Sequence, residues 1–215
     1  MLGWVIMAGL LAAASAGASA ASDLRARDGG PSQAAMVARG SSVEGLALLR
    51  PVLSGVLWRA GFKGGDKERD GLSAAQRGAL CEAGFSAARY ADFGKNTAYG
   101  ETTCGTGALD YEPARSSKPA EVLRAVHAVA KDPSKGPVLV HCMWGVHSSG
   151  ALSAMALVQF CGWSEARAKA YWNDTREGAP CSGGCDAWID AKFAAFRPDP
   201  ALALSAAERE AICPD

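Results

Sequence analysis

Val138-Leu139-Val140-His141-Cys142 is an apolar, β-rich run that closes in a thiol. Met143-Trp144-Gly145-Val146-His147 follows as a short loop, and Ser148-Ser149-Gly150 opens an Ala- and Leu-rich stretch with the composition of a buried helix. This order constrains the fold more than any other feature of the chain. A short, unalternating strand is one covered on both faces, and strands that alternate with helices argue an α/β fold. The thiol stands just before a helix N-terminus, where free N–H groups and the helix dipole favour negative charge. A phosphate or sulfate group suits such a loop.

The spacing His141-Cys142-(x2)-Gly145-(x3)-Ser149-Gly150 resembles the phosphate loop of the cysteine-dependent protein tyrosine and dual-specificity phosphatases. That family reads His-Cys, five variable residues, Arg, Ser or Thr, Gly. Every anchor is present but one: the position of the arginine is Ser148. The resemblance implies a central, mostly parallel sheet flanked by helices. It also implies hydrolysis of phosphate monoesters through a phosphocysteine formed on Cys142. Ser149 then corresponds to the hydroxyl that bonds the thiolate and assists the second step, and His141 to the residue that orders the loop. The amides of Met143, Trp144, Gly145, Val146, His147, Ser148 and Ser149 would cradle the phosphate oxygens, and Gly150 would let the helix start close to the loop. The family's general acid lies on a separate loop about thirty residues upstream, which points to Asp110, 32 residues before Cys142, with Glu112 in reserve.

Ser148 cannot form the bidentate fork by which an arginine grips two phosphate oxygens. The protein is therefore expected to be a weak phosphatase or a catalytically inactive relative that binds a phosphorylated or anionic ligand. His147, Arg115 and Arg176 are candidate surrogates for the lost charge. A thiol redox role is the third reading, and no Cys-x2-Cys motif supports it. No cofactor is implied, and no Cys/His spacing suggests zinc.

The 22 basic and 22 acidic side chains cancel, so nothing points to nucleic acid as a partner. Leu2 to Ala14 is apolar and leads into Ala18-Ser19-Ala20, the pattern of a signal peptide over residues 1–20. The run is short for a bilayer span, so the chain is expected to be exported, without a stable membrane anchor. Residues 21–42 read as a flexible linker, 43–200 as the phosphatase-like domain and 201–215 as a tail. Oligomeric state is not legible.

Apart from Cys142, six cysteines remain, enough for three disulfides in an oxidising compartment. Cys81 with Cys104 and Cys181 with Cys185 are plausible pairs. Cys161 is either paired or a small buried hydrophobe, and Cys213 would tie down the tail. Val52–Trp58 reads as a strand and Ser73–Ala83 as a capped helix ended by Gly84. Phe85–Phe93 reads as a strand, 94–117 as an irregular stretch, and Pro119 as the start of an amphipathic helix. Helices are expected near 149–161, 164–172 and 186–196, with a further short one in the tail.

Overall fold

The computed structural model describes residues 43, 45–62, 71–91, 97–176 and 184–214; the expected signal peptide and linker lie outside them. The strands are β1 (Leu46–Leu53), β2 (Leu57–Phe62), β3 (Ala87–Tyr90), β4 (Gly100–Cys104), β5 (Gly107–Pro113) and β6 (Val138–His141). The α-helices are α1 (Ala74–Glu82), α2 (Ala120–Lys131), α3 (Ser148–Cys161), α4 (Glu165–Asp174), α5 (Cys185–Ala195) and α6 (Ala206–Ile212).

The strands form one six-stranded sheet in the order β1-β2-β6-β3-β5-β4. The four central strands run parallel, and β1 and β4 close the edges antiparallel. This is the α/β fold expected, with a central, mostly parallel sheet flanked by helices. All four residues of β6 are buried, because helices cover both of its faces. On one side Val138 and Val140 pack with Val122, Val126, Leu152 and Phe160 of α2 and α3. On the other, Leu139 joins Trp58, Leu80, Tyr90 and Tyr111.

Local chemistry set the helix ends. Ser73 and Gln76 form the reciprocal capping box that opens α1, and Ser164 caps α4 through the amide of Arg167. Two strand assignments need correction. The single strand expected over Val52–Trp58 is the meeting of β1 and β2, folded back at Ser54-Gly55-Val56, where Gly55 takes φ +68°. Such a backbone is cheap for glycine alone. The stretch expected to be irregular contains the β4–β5 hairpin, whose Thr102 and Thr103 pair with Leu109 and Ala108. Its glycines mark the strand ends and the turn between them.

The tail is not separate from the domain. Leu202, Leu204 and Ile212 belong to the main core, and Ile212 O accepts from the Ser54 amide at 2.8 Å. Cys81–Cys104 is bonded as expected. Cys161 is not an inert hydrophobe: it is bonded to Cys213, which ties the end of α6 to the end of α3. Cys185 is disulfide-bonded as well, while Cys181 lies outside the described residues. Among the described residues no helix is long and apolar enough to cross a membrane.

Candidate active site

β6 and the parallel register place the site. Leu57–Ala60 of β2 and Ala87–Tyr90 of β3 flank Val138–His141 residue for residue. β3 and β6 therefore stop together while β2 runs two residues further to Phe62, and Cys142 emerges at this carboxyl end of the sheet, its amide donating to Ala60 O at 3.3 Å. In open α/β sheets this end is where ligands bind. The thiol is the free one among the described cysteines and is only 3% exposed, at the base of the loop. Its Sγ lies 3.2 Å from Ser149 Oγ, in the first turn of α3.

Between thiol and helix, the amides of Met143, Trp144, Gly145, Val146, Ser148, Ser149 and Gly150 have no acceptor among the described residues. Gly145, Val146, Ser149 and Gly150 are themselves buried. Buried N–H groups are nearly always paired, so this run of donors next to a thiol is matched to an oxyanion. Trp144 is 51% exposed and stands on the rim of the loop.

Two glycines make the turn possible. Gly145 has φ +70°, and a Cβ there would lie 2.6 Å from Gly61 N and 2.8 Å from Ala60 C. A Cβ on Gly61 would in turn strike the backbone of Trp144 and Gly145. The end of β2 and the loop thus touch main chain to main chain, and a side chain at either position separates them.

His141 is fully buried, stacked on Tyr90 at 4.7 Å between ring centroids, with its Nε2 3.1 Å from Tyr111 Oη. The Tyr111 hydroxyl accepts from the Leu72 amide at 3.0 Å, leaving its own hydrogen for the His141 ring. Burial pushes the His141 pKa down to about 3 and raises that of Tyr111 above the usual phenol range. His141 is therefore neutral and holds the strand end in place; it is no proton carrier near neutral pH.

A titration consequence follows from the His141 pKa. Above pH 6.5 the ring is neutral whether the chain is folded or not. Below it the unfolded chain takes up a proton that the folded one refuses until about pH 3. Stability contributed by the neutral ring is thus lost as the pH falls through this window, by about 1.4 kcal/mol per pH unit. Urea denaturation of wild type and His141→Gln between pH 4 and 7 should show slopes that differ by about one proton. Equal slopes would mean that the ring charges inside the fold.

Asp110 does not belong to this site. The register sets it level with Ala87 and hence with Val138. That is four residues short of Cys142, about 13 Å along the strands. Its carboxylate is instead 2.6 Å from Arg89 Nη2. Glu112 is level with Val140 through Arg89 and exposed. Sequence distance alone suggested these carboxylates; the β4–β5 hairpin absorbs the residues that spacing assigned to a loop. Among the described residues, Ala114–Pro119 leaves β5 at the thiol's end of the sheet and carries Arg115, Ser116, Ser117 and Lys118 and no carboxylate.

Ser148 is the first residue of α3, and His147 precedes it without capping the helix by its side chain. The His147 carbonyl accepts from Trp172 Nε1 at 3.3 Å, so α4 props the loop from behind. Arg176 lies over the Trp172 ring, 4.9 Å from its centroid, and 4.0 Å from Asp186. One residue that sequence reasoning passed over is Arg59, fully buried on β2 beneath the first turn of α3. The available signal was a lone charge inside the apolar run Val56-Leu57-Trp58-Arg59-Ala60.

The fold and the loop together define a class: an α/β protein presenting, at the carboxyl end of its sheet, a thiol and a run of amides without acceptors among the described residues. No protein-family model matches the chain, and no curated protein does. Among solved structures, TpbA of P. aeruginosa is 16% identical with a TM-score of 0.36, the match covering 69% of this chain and 90% of that one. The human tyrosine phosphatase-like serine/threonine/tyrosine-interacting protein is 14% identical (TM-score 0.46; 68% and 95% covered). Human DUSP28 is 17% identical (TM-score 0.42; 70% and 94% covered).

Proposed function

We propose that the loop from Cys142 to Gly150 binds a phosphate monoester and hydrolyses it slowly through a phosphocysteine on Cys142. The observation that carries this reading is the run of amides without acceptors among the described residues, next to the Cys142–Ser149 contact. Such donors suit a phosphoryl group, and the sulfur beneath them suits attack on phosphorus. The exposed indole of Trp144 on the rim favours an ester with an apolar or aryl group. The missing arginine sets the rate. Two charge-assisted hydrogen bonds withheld from the transition state cost on the order of 10²- to 10⁴-fold.

A second reading, binding without turnover, is favoured by the displacement of Asp110. With Asp110 too far away to protonate the leaving oxygen, another 10²- to 10⁴-fold is lost, roughly the usual worth of general acid catalysis. Export is part of the proposal: an apolar N-terminal run and disulfides at Cys81–Cys104 and Cys161–Cys213 both suit an oxidising compartment.

The test combines binding and turnover on the purified chain. Tungstate binding is measured by calorimetry, and phosphate release from p-nitrophenyl phosphate is followed for wild type and Cys142→Ser. Tungstate binding with a wild-type rate more than tenfold above Cys142→Ser supports slow hydrolysis. Binding with equal rates supports the second reading. No tungstate binding at millimolar concentration removes both.

A further inference from the structure

Arg59 carries a charge that has no ion-pair partner among the described residues. Its side chain is 0% exposed. Nη1 donates to Thr175 Oγ1 at 2.8 Å and Nη2 to Thr175 O at 2.6 Å. The Tyr171 ring lies 5.6 Å from Cζ, and Nε has no partner. No carboxylate among the described residues pairs with it. A guanidinium stays protonated at any ordinary pH. An ion taken out of water with only neutral partners is costly, and buried charges are as a rule paired.

The location of this charge accounts for it. Arg59 is level with Val140 in the sheet, one position before the His141–Ala60 pair that leads into the loop. Nη1 lies 3.2 Å from where a Cβ on Gly150 would stand, and Gly150 is in the first turn of α3. Only the lack of a side chain at Gly150 lets the guanidinium come so close to the turn that closes the loop. Thr175 and Tyr171 belong to the same end of α4 whose Trp172 bonds the His147 carbonyl. The cation is thus held fixed behind the loop.

We propose that Arg59 is the counter-charge for the anion held by the Cys142–Gly150 loop, supplying from β2 the positive charge that Ser148 does not. This rests on the loop being an oxyanion site. Arg59 is a positioning residue: it is pinned by Thr175, acts across the first turn of α3, and makes no fork with the phosphoryl oxygens. A fixed charge of this kind strengthens binding of the anion itself, because it cannot follow the transferring group. Low dielectric around it keeps the interaction from being screened as a surface pair would be.

The experiment titrates tungstate and, separately, inorganic phosphate into wild type, Arg59→Lys, Arg59→Met, Arg59→Gln and Thr175→Val at pH 7.5, with folding checked by circular dichroism. Wild type and Arg59→Lys should agree within about threefold, Thr175→Val, which loosens the guanidinium, should fall between them and the neutral variants, and Arg59→Met and Arg59→Gln should bind at least about tenfold more weakly, as the loss of one buried charge requires. Arg59→Gln keeps a donor for Thr175 and serves if the methionine variant does not fold. Undiminished binding by the methionine or glutamine variant overturns the proposal. So does equal weakening in the lysine and glutamine variants, which would make Arg59 a prop for α4 rather than a source of charge. Failure of wild type to bind either anion instead removes the oxyanion site itself, and this inference with it.

Discussion

Ser148→Arg should raise the rate of p-nitrophenyl phosphate hydrolysis about 10²- to 10⁴-fold, the largest change expected of any single substitution in this chain. Ser148 begins α3 and is half-buried beside the loop amides. A guanidinium there would form two charge-assisted bonds to the equatorial oxygens, each worth roughly 1.5–3 kcal/mol. Those bonds tighten as charge spreads over the phosphoryl group in the transition state. Ser148→Lys should give clearly less, since an ammonium offers a point charge and no fork. Adding Cys142→Ser to Ser148→Arg should abolish the gain. If Ser148→Arg binds tungstate but gains no activity, the absent arginine is not what limits the natural protein, and the loss of the acid position takes its place.

Removing the Cys161–Cys213 bond by the double change to alanine should cost about 2–4 kcal/mol of stability. The bond spans 52 residues, and the chain-entropy relation gives about 4 kcal/mol for a loop of that length. For a chain of this size each kcal/mol corresponds to roughly 2–4 °C in Tm, so the melting temperature should fall by about 5–15 °C. The bond holds α6 against α2 and the sheet, where Leu202, Leu204 and Ile212 complete the main core. Tungstate binding should survive, because the loop lies at the other end of α3 from Cys161. A change below about 1 kcal/mol would show that packing alone retains the tail.

Some of this architecture was legible because it is written in neighbouring residues. The β6–loop–α3 order needs only a local apolar run, a glycine and a stretch of small residues. The capping box that opens at Ser73 is likewise a four-residue signal. Two short strands joined at Gly55 were harder to separate, since an apolar run interrupted by one Ser-Gly looks continuous. The β4–β5 hairpin was illegible for another reason. Its residues are mostly polar or exposed, and only pairing with β3 makes them strands.

The sequence by itself determined the chemistry available to the loop: a thiol, a hydroxyl seven residues on, two glycines, and serine in place of arginine. Those are matters of spacing along one short segment. Which distant groups join that loop was decided by tertiary structure. Register, not sequence distance, carried Asp110 to the far end of the sheet and into the Arg89 ion pair. It also brought Arg59, 83 residues before Cys142 in the chain, under the first turn of α3. The reason is that parallel pairing aligns strands from separate parts of the chain, so neighbours across the sheet are set by hydrogen-bond register and helix packing.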